Sequence, residues 1–592
     1  MQKHQYQLGM IGNCNFSALV DKQANIKWLC WPRFDSSFIF GSLLDEEKGG
    51  KFSITSAAPS QTSQNYVRNT NVLVTRFENS DGIFEVTDFA PRFLLNERYH
   101  RPLMLFRKVR RVSGSPRIIV NCEPVGRYGE VVPEPQTGSH HIRYAGLDAT
   151  VRLTTNASLT AVLQKKAFTL SKDLYFVLSW GIPLEGALVS TFEDFLTRTI
   201  HYWQTWVERC TLPKMFQHEV IRSALALKLH QFEDTGAIIA SCSTSLPEIS
   251  GKGRNWDYRF CWLRDTYYTL YALSSLGHFD EMESYAHFIE NLNLEHLGRL
   301  QPVYAIDGSP EMPESELKLS GYLNNQPVRV GNAASEQIQH DAYGQILLAL
   351  FSLHTDARLV DRRRLSEKSL FSLISSIENK MNEPDNGVWE FRGRQSIHTY
   401  SVLFHWAGSA ACQKIARLMG NSELERRATK TREDAHELLE KCYSVKRKAY
   451  TQGLNSEELD ASLLQMITLG FFHGQDKEKA IAHLRAIQKE LEISPGFLLR
   501  YKHTDDFGTQ ESAFLVCSFW LIEALTVLGF ADEAYDLFQK ILKAQNDLGL
   551  MSEDFETETQ SQWGNFPQTY SHVGLINCAF ALDRAFDRPS FL

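Results

Sequence analysis

The chain has 592 residues and a mass of 67.7 kDa, more than one ordinary hydrophobic core spans, so two large domains are expected. Hydrophobic residues make up 43% and charged residues 22%, as in soluble globular proteins, and the net charge of −8 without a basic tract argues against a nucleic-acid partner. The segment Met1 to Gln7 lacks an apolar signal core and no apolar run is long enough for a bilayer, so a cytoplasmic protein with no membrane partner is expected. The ten cysteines are scattered without C-x-x-C or zinc-like Cys/His spacing, so neither a metal site nor another cofactor is expected. Cys30, Cys242, Cys261, Cys412, Cys517 and Cys578 sit in apolar contexts and read as core thiols.

Residues 1–185 read as an antiparallel β-sandwich. Asn71–Phe77 and Ile83–Phe89 flank an Asp-Gly turn and form a hairpin; Ile118–Val120, Thr150–Leu153 and Leu174–Leu178 are further short strands without intervening helices. Residues 186–213 read as a helical linker. Phe192, Phe195, Leu196, Ile200, Trp203 and Val207 form one stripe, Ser190 and Glu193 have capping-box spacing, and Pro213 marks the end.

Residues 214–592 read as a helical domain. About twelve segments carry helical apolar periodicity: 214–233, 264–277, 279–293, 335–354, 358–381, 400–419, 421–441, 458–470, 475–490, 510–528, 530–546 and 570–586. Very short turns alternate with long connections rich in aromatic, charged and Gly residues. Helices joined this way close into a ring of hairpins, with every long loop at one end, where a site belongs.

Those loops supply the candidate residues. Asp385-Asn386-Gly387 is a turn signal that presents Glu390 between Trp389 and Phe391. A carboxyl in apolar surroundings is a candidate general acid, because burial disfavours the charged form. Tyr258 and Trp262, beside Arg264 and Asp265, offer what a sugar ring needs: an aromatic platform, with a charged pair for neighbouring hydroxyls. Arg264 and Asp265 could equally be a structural ion pair at a helix start. Arg500 and Tyr501 repeat the guanidinium–aromatic pairing, and Glu553 is a second carboxyl on the same end of the ring.

Asn255-Trp256-Asp257-Tyr258, Trp262-Leu263-Arg264-Asp265, Asn386-Gly387-Val388-Trp389-Glu390, Ser456–Ser462 and Gly564-Asn565-Phe566-Pro567-Gln568, with Trp28–Asp35 near the N-terminus, together resemble glycoside hydrolase family 15. The resemblance spans nearly the whole chain and implies an N-terminal β-sandwich followed by an (α/α)6 barrel. It implies Glu390 as general acid and Glu553 as general base. Arg264 and Asp265 would grip hydroxyls of the terminal glucose, Tyr258, Trp262 and Trp389 would line the subsite, and Arg500 with Tyr501 would add sugar contacts. The chain departs from the family pattern at Asp554, where many members have Gln, at Leu403, where many bacterial members have Lys, and at Asn13-Cys14-Asn15.

The function so implied is an inverting exo-acting hydrolase that releases β-glucose from an α-glucan or oligosaccharide substrate, as glucoamylases do, with α,α-trehalase, acting on a disaccharide, as the alternative. An inverting sugar phosphorylase and a non-catalytic glucan-binding protein are the competing classes; retention of two carboxyls argues against both.

Overall fold

The computed structural model describes residues 3–292, 299–359, 364–472 and 476–586; the parts of the expected helices at 293, 360–363 and 475 lie outside them. The N-terminal strands form two sheets. One has seven strands, ordered Leu8–Gly12, Ser17–Asp21, Asn25–Cys30, Lys51–Ser56, Arg117–Glu123 and Phe168–Thr169, with Phe38–Phe40 pairing off the third. The other has eight, ordered Glu134–Thr137, His141–Ala145, Val151–Thr155, Leu174–Trp180, Met104–Gly114, Gly82–Phe89, Leu73–Asn79 and Gln61–Tyr66. The pairings within them are antiparallel. The Asp-Gly hairpin forms with Asn79 opposite Gly82. Alternating residues such as Leu73, Phe77, Val86, Leu105, Val109, Val120 and Phe176 fill the core between the sheets.

The helix Leu188–Glu208 has its apolar stripe divided between two surfaces. Phe192 packs with Phe89, Phe106 and Tyr175 of the eight-stranded sheet, whereas Trp203, Trp206 and Val207 join the core of the helical domain. The capping box expected from Ser190 and Glu193 does not form. The helix starts after Ala187 without a side-chain cap; Glu193 instead pairs with Lys108 at 2.5 Å and accepts from the Tyr175 hydroxyl at 2.7 Å. A cation and a phenol from the sheet outcompete the local backbone N–H for that carboxylate.

The helical domain is a closed double ring. Its inner helices are Leu263–Ser275, Asp341–Ala349, Thr399–Met419, a short turn Ala461–Leu464 running into Gln465–Thr468, Leu515–Val527 and Thr569–Phe586. Each packs on the next and the last returns to the first. Outside them lie Gln217–Leu229, Asp280–Asn291, Glu367–Lys380, Ser422–Glu440, Lys477–Leu491 and Ala531–Ile541. The inner helices are buried nearly all round, which explains why their sequences are apolar beyond one stripe; Leu515–Val527 is the extreme case. Several expected boundaries move: the segments read as helical from 335, 358 and 510 carry regular α-helix only from Asp341, Glu367 and Leu515, and residues 337–340, after the tight turn Ala333–Glu336, form an irregular stretch at the site. All ten cysteines are free, and those read as core thiols are buried.

The sandwich braces the loop end of this ring. The Arg259 guanidinium, fully buried, donates to the carbonyl of Ser36 at 2.7 Å and to the Tyr128 hydroxyl at 3.2 Å, both in the N-terminal domain. Its other donors hold Asp257 at 2.6 and 2.8 Å. The Trp28 indole donates to the carbonyl of Cys242 at 2.7 Å. Arg259→Ala would leave Asp257 buried without its counter-charge and is expected to cost about 3–5 kcal/mol of stability, read as a lower denaturant midpoint. An unchanged midpoint would show that the brace carries no load.

Candidate active site

The turn that carries Glu390 is locked by Asn386. Its side-chain amide donates to the carbonyl of Phe391 at 2.6 Å, its side-chain oxygen accepts from the Ile338 amide at 3.0 Å, and its own amide bonds the Ile338 carbonyl at 2.8 Å. Gly387 takes φ +68°, and Glu390 itself takes φ +60°, a left-handed conformation that a β-carbon disfavours and that surrounding structure must hold. Gln337 supplies part of that hold, donating to the Glu390 carbonyl at 2.9 Å.

The Glu390 carboxyl does not meet the apolar surroundings expected from its flanks. Its Oε1 accepts from the Trp262 indole at 2.8 Å, from Arg264 Nη2 at 3.0 Å and from Gln339 at 3.3 Å. Trp389 turns instead toward Tyr501, Phe514 and Trp520. All three donors converge on one oxygen, so the carboxyl is fixed in orientation while about a quarter of it remains exposed.

Glu553 is fully buried. Its Oε1 accepts from the Tyr258 hydroxyl at 2.8 Å and Arg500 Nη2 at 3.1 Å, and its Oε2 from the Asn565 amide at 3.3 Å. Gly564 explains part of the Gly-Asn-Phe-Pro-Gln motif: a β-carbon there would stand 2.6 Å from the Glu553 β-carbon. Burial, and then the charge of Asp554, push the Glu553 carboxyl well above the ordinary glutamate range, with Arg500 opposing.

Arg264 and Asp265 open an inner helix but are not chiefly partners of each other; the nearest approach is 3.8 Å. Arg264 also donates to the Tyr570 hydroxyl at 3.0 Å and to Gln339 at 2.6 Å. Asp265 Oδ2 is buried and accepts no hydrogen bond among the described residues, and burial raises the carboxyl to about 7. A buried acceptor without a donor on a cavity wall is suited to a ligand hydroxyl.

Two adjoining cavities collect these groups. The inner one, about 520 Å³ including space open to solvent, is walled by Tyr258, Trp262, Arg264, Asp265, Glu390 and Glu553, with Trp520 and Tyr570 deeper in the ring. The outer one, about 570 Å³ on the same measure, is rimmed by Arg254, Trp256, Arg392, Tyr501, Asp506 and Phe507. Tyr258, Trp389, Glu390 and Arg500 line both. Every catalytic or sugar-binding candidate from the sequence thus borders one cavity or the other.

Several contributors escape a sequence reading. Gln337 and Gln339 lie in the stretch that helical periodicity absorbs. Tyr570 sits on an inner helix among residues that read as core. Glu248, which accepts from Arg500 at 3.2 Å and the Trp256 indole at 3.0 Å, is signalled only by its place in a long loop. No group of three or more metal-ligating side chains occurs among the described residues, and none of their helices is long and apolar enough to cross a membrane.

The sequence profile of glycosyl hydrolases family 15 matches residues 214–580, and that of a trehalase-like N-terminal domain matches residues 4–165. The chain belongs to glycosyl hydrolases family 15. It is 32% identical to a trehalase of Thermoplasma volcanium, over 98% of this chain and 94% of that protein. It is 31% identical to a trehalase of Mycolicibacterium smegmatis, over 98% and 91%. A bacterial glucoamylase solved in complex with acarbose shares the fold at a TM-score of 0.66, with 13% identity over 98% of this chain and 95% of the other. The glycoside hydrolase therefore has the expected architecture, a sandwich followed by an (α/α)6 barrel.

Arg264→Ala removes a guanidinium that orients Glu390, Gln339 and Tyr570. It is expected to lower kcat/KM by about 3 kcal/mol, on the order of a hundredfold, with the fold retained by circular dichroism. Unchanged kinetics in the folded variant would place the sugar subsite elsewhere.

Proposed function

We propose that this glycoside hydrolase cleaves an α-glucoside with inversion, Glu390 acting as general acid and Glu553 as general base, and that α,α-trehalose is its substrate ahead of α-glucans. The observation that carries the reading is the placement of both carboxyls on one cavity, each held by an aromatic donor from the same loop. Glu390 offers Oε2, the oxygen that its three donors leave free, to the glycosidic oxygen. Glu553 accepts a proton from water as that water bonds to the anomeric carbon; the bond to the leaving sugar breaks and the Glu390 proton goes to the leaving oxygen. One displacement of this kind needs the carboxyls about 6.5–9.5 Å apart, rather than the closer spacing of a pair that forms a glycosyl ester. Their arrival from the third and sixth long loops of the ring favours the wider setting. Arg264 and Asp265, deep in the inner cavity, would bind hydroxyls of the ring that is attacked.

The preference for trehalose comes from the two trehalases that match along nearly their whole length. Two cavities of similar size meeting at Glu390 are consistent with one glucose ring on each side of the scissile bond. Exo-acting release of glucose from maltooligosaccharides is the second reading, favoured by the aromatic rim of Trp256, Phe391, Tyr501 and Phe507, on which further sugars could stack. Phosphorolysis is disfavoured because it would need an anion site in place of the base.

Purified protein supplied with trehalose, maltose, maltoheptaose and isomaltose, with and without phosphate, decides among these readings. Trehalose is expected to be hydrolysed without phosphate, and proton NMR before mutarotation should record one β- and one α-glucose per turnover. Two α-glucose molecules would defeat the single displacement, and glucose release from maltooligosaccharides alone would reverse the order of substrates.

Glu390→Gln should slow trehalose hydrolysis by about 10²–10⁴-fold while sparing α-glucosyl fluoride, whose leaving group needs little protonation. Equal losses on both substrates would remove Glu390 from the role of proton donor.

A further inference from the structure

Glu553 and Asp554 are adjacent in sequence and would normally point to opposite sides of an extended chain. Here both carboxyls reach the same guanidinium nitrogen: Arg500 Nη2 lies 3.1 Å from Glu553 Oε1 and 3.2 Å from Asp554 Oδ2. The strand Asp554–Glu556 secures its place by backbone pairing with Phe514 and Trp563 and does not need this side chain. Yet the Asp554 carboxyl is completely buried, and Ser512 donates to its other oxygen at 2.9 Å. A third carboxyl, Glu248, takes the second arm of the same guanidinium at 3.2 Å. Arg254, the next cation, stands 3.9 Å from Glu248 but is engaged by Asp505 at 2.5 Å. The other titratable groups facing Glu553 are the phenols of Tyr258 and Tyr6, which burial holds neutral. Three buried carboxyls therefore converge on one guanidinium.

We propose that Asp554 is a positioning residue for Glu553: through the Arg500 nitrogen that both carboxyls share, it sets the pH below which the cavity loses its base and keeps Glu553 a strong base above that pH. Like charges this close cannot both ionise freely, so the two titrate as a pair. Burial raises Asp554 to about 7, and Asp554 in turn raises Glu553. A base whose proton is held more tightly is silenced at a higher pH and accepts a proton from water more readily once ionised. The inference rests on Glu553 acting as the base.

The test is the pH profile of kcat/KM on trehalose, or on whichever glucoside the substrate panel identifies. The wild-type profile should fall, on the acid side, at a pH above the ordinary glutamate range. Asp554→Asn keeps the shape and removes the charge; the acid-side fall should move down by about one pH unit or more, and the plateau should drop several-fold as the base weakens. Ser512→Ala removes the hydrogen bond that stabilises ionised Asp554 without touching Glu553 or Arg500. It should shift the acid-side fall in the same direction by less, and it serves as the test should Asp554→Asn fail to fold. An acid-side fall that stays in place or moves up in either folded variant overturns the inference. Glu553→Gln separates the two levels: if it retains activity the assignment of the base itself fails, whereas an inactive Glu553→Gln with an unmoved Asp554→Asn profile defeats only the role of Asp554.

Discussion

The site depends on one five-residue stretch of loop. Tyr258 and Trp262 stand at its two ends with ring centroids 5.5 Å apart and edge to face. The hydroxyl of the first holds Glu553 and the indole N–H of the second holds Glu390. An aromatic side chain has only two rotatable angles and a polar tip, so it positions a hydrogen-bond donor at little entropic cost. The relative placement of two carboxyls that are 163 positions apart in the sequence is thus referred to a single short segment. Arg259, between the two rings, fixes that segment to the sandwich through Ser36 and Tyr128. Displacing the loop would move both carboxyls at once.

Charge burial is the second constraint. Around Glu390 the guanidinium of Arg264 and two neutral donors share one carboxylate oxygen; around Glu553 one guanidinium serves three carboxyls. The two halves of the cavity are therefore electrostatically unlike, although each contains a glutamate, an arginine and an aromatic donor. Such asymmetry would suit two chemically identical side chains to the opposite proton roles proposed for them. Burying these groups in advance means that little reorganisation is needed as charge moves between water, sugar and leaving oxygen.

Much of this was legible in the residues, for identifiable reasons. A turn such as Asn386-Gly387 is encoded locally, and so are helices whose apolar faces repeat at 3.6 residues. The alternation of short and long connections then dictates on which end of the ring Glu390, Arg500 and Glu553 emerge. Pairings across the ring were not legible. Arg264 reads as the partner of its neighbour Asp265, but the cavity gives its guanidinium to Glu390. Arg500 reads as a sugar contact beside Tyr501 and does line both cavities, but the sequence does not show that it is also the counter-ion of Glu248, Glu553 and Asp554. Glu193 has the spacing of a helix cap and is taken by Lys108. In each case a long-range charge partner overrides a local one, and single-sequence spacing carries no information about that partner. Gln337 and Gln339 were hidden differently: their stretch has helical periodicity, and it is their bonding to the Glu390 turn that occupies it instead.

The sandwich is more than an appended domain, because its first residues reach the loop of Glu553. The His4 carbonyl accepts from the Gln562 amide at 2.9 Å, the Tyr6 amide donates to the Gln562 side chain at 3.1 Å, and the Tyr6 hydroxyl donates to the carbonyl of Gly564 at 3.0 Å. Gly564 lies against Glu553 so closely that only a glycine fits, and the next amide, that of Asn565, donates to the Glu553 carboxylate. A contact at the edge of one domain is thereby converted into the position of a hydrogen-bond donor on the candidate base of the other. The barrel alone would leave that loop end anchored only from within the ring. Arg259 ties one wall of the cavity to the sandwich and Tyr6 ties the other. Packing outside the barrel thus adds to the hold that Tyr258 and Arg500 supply from within it.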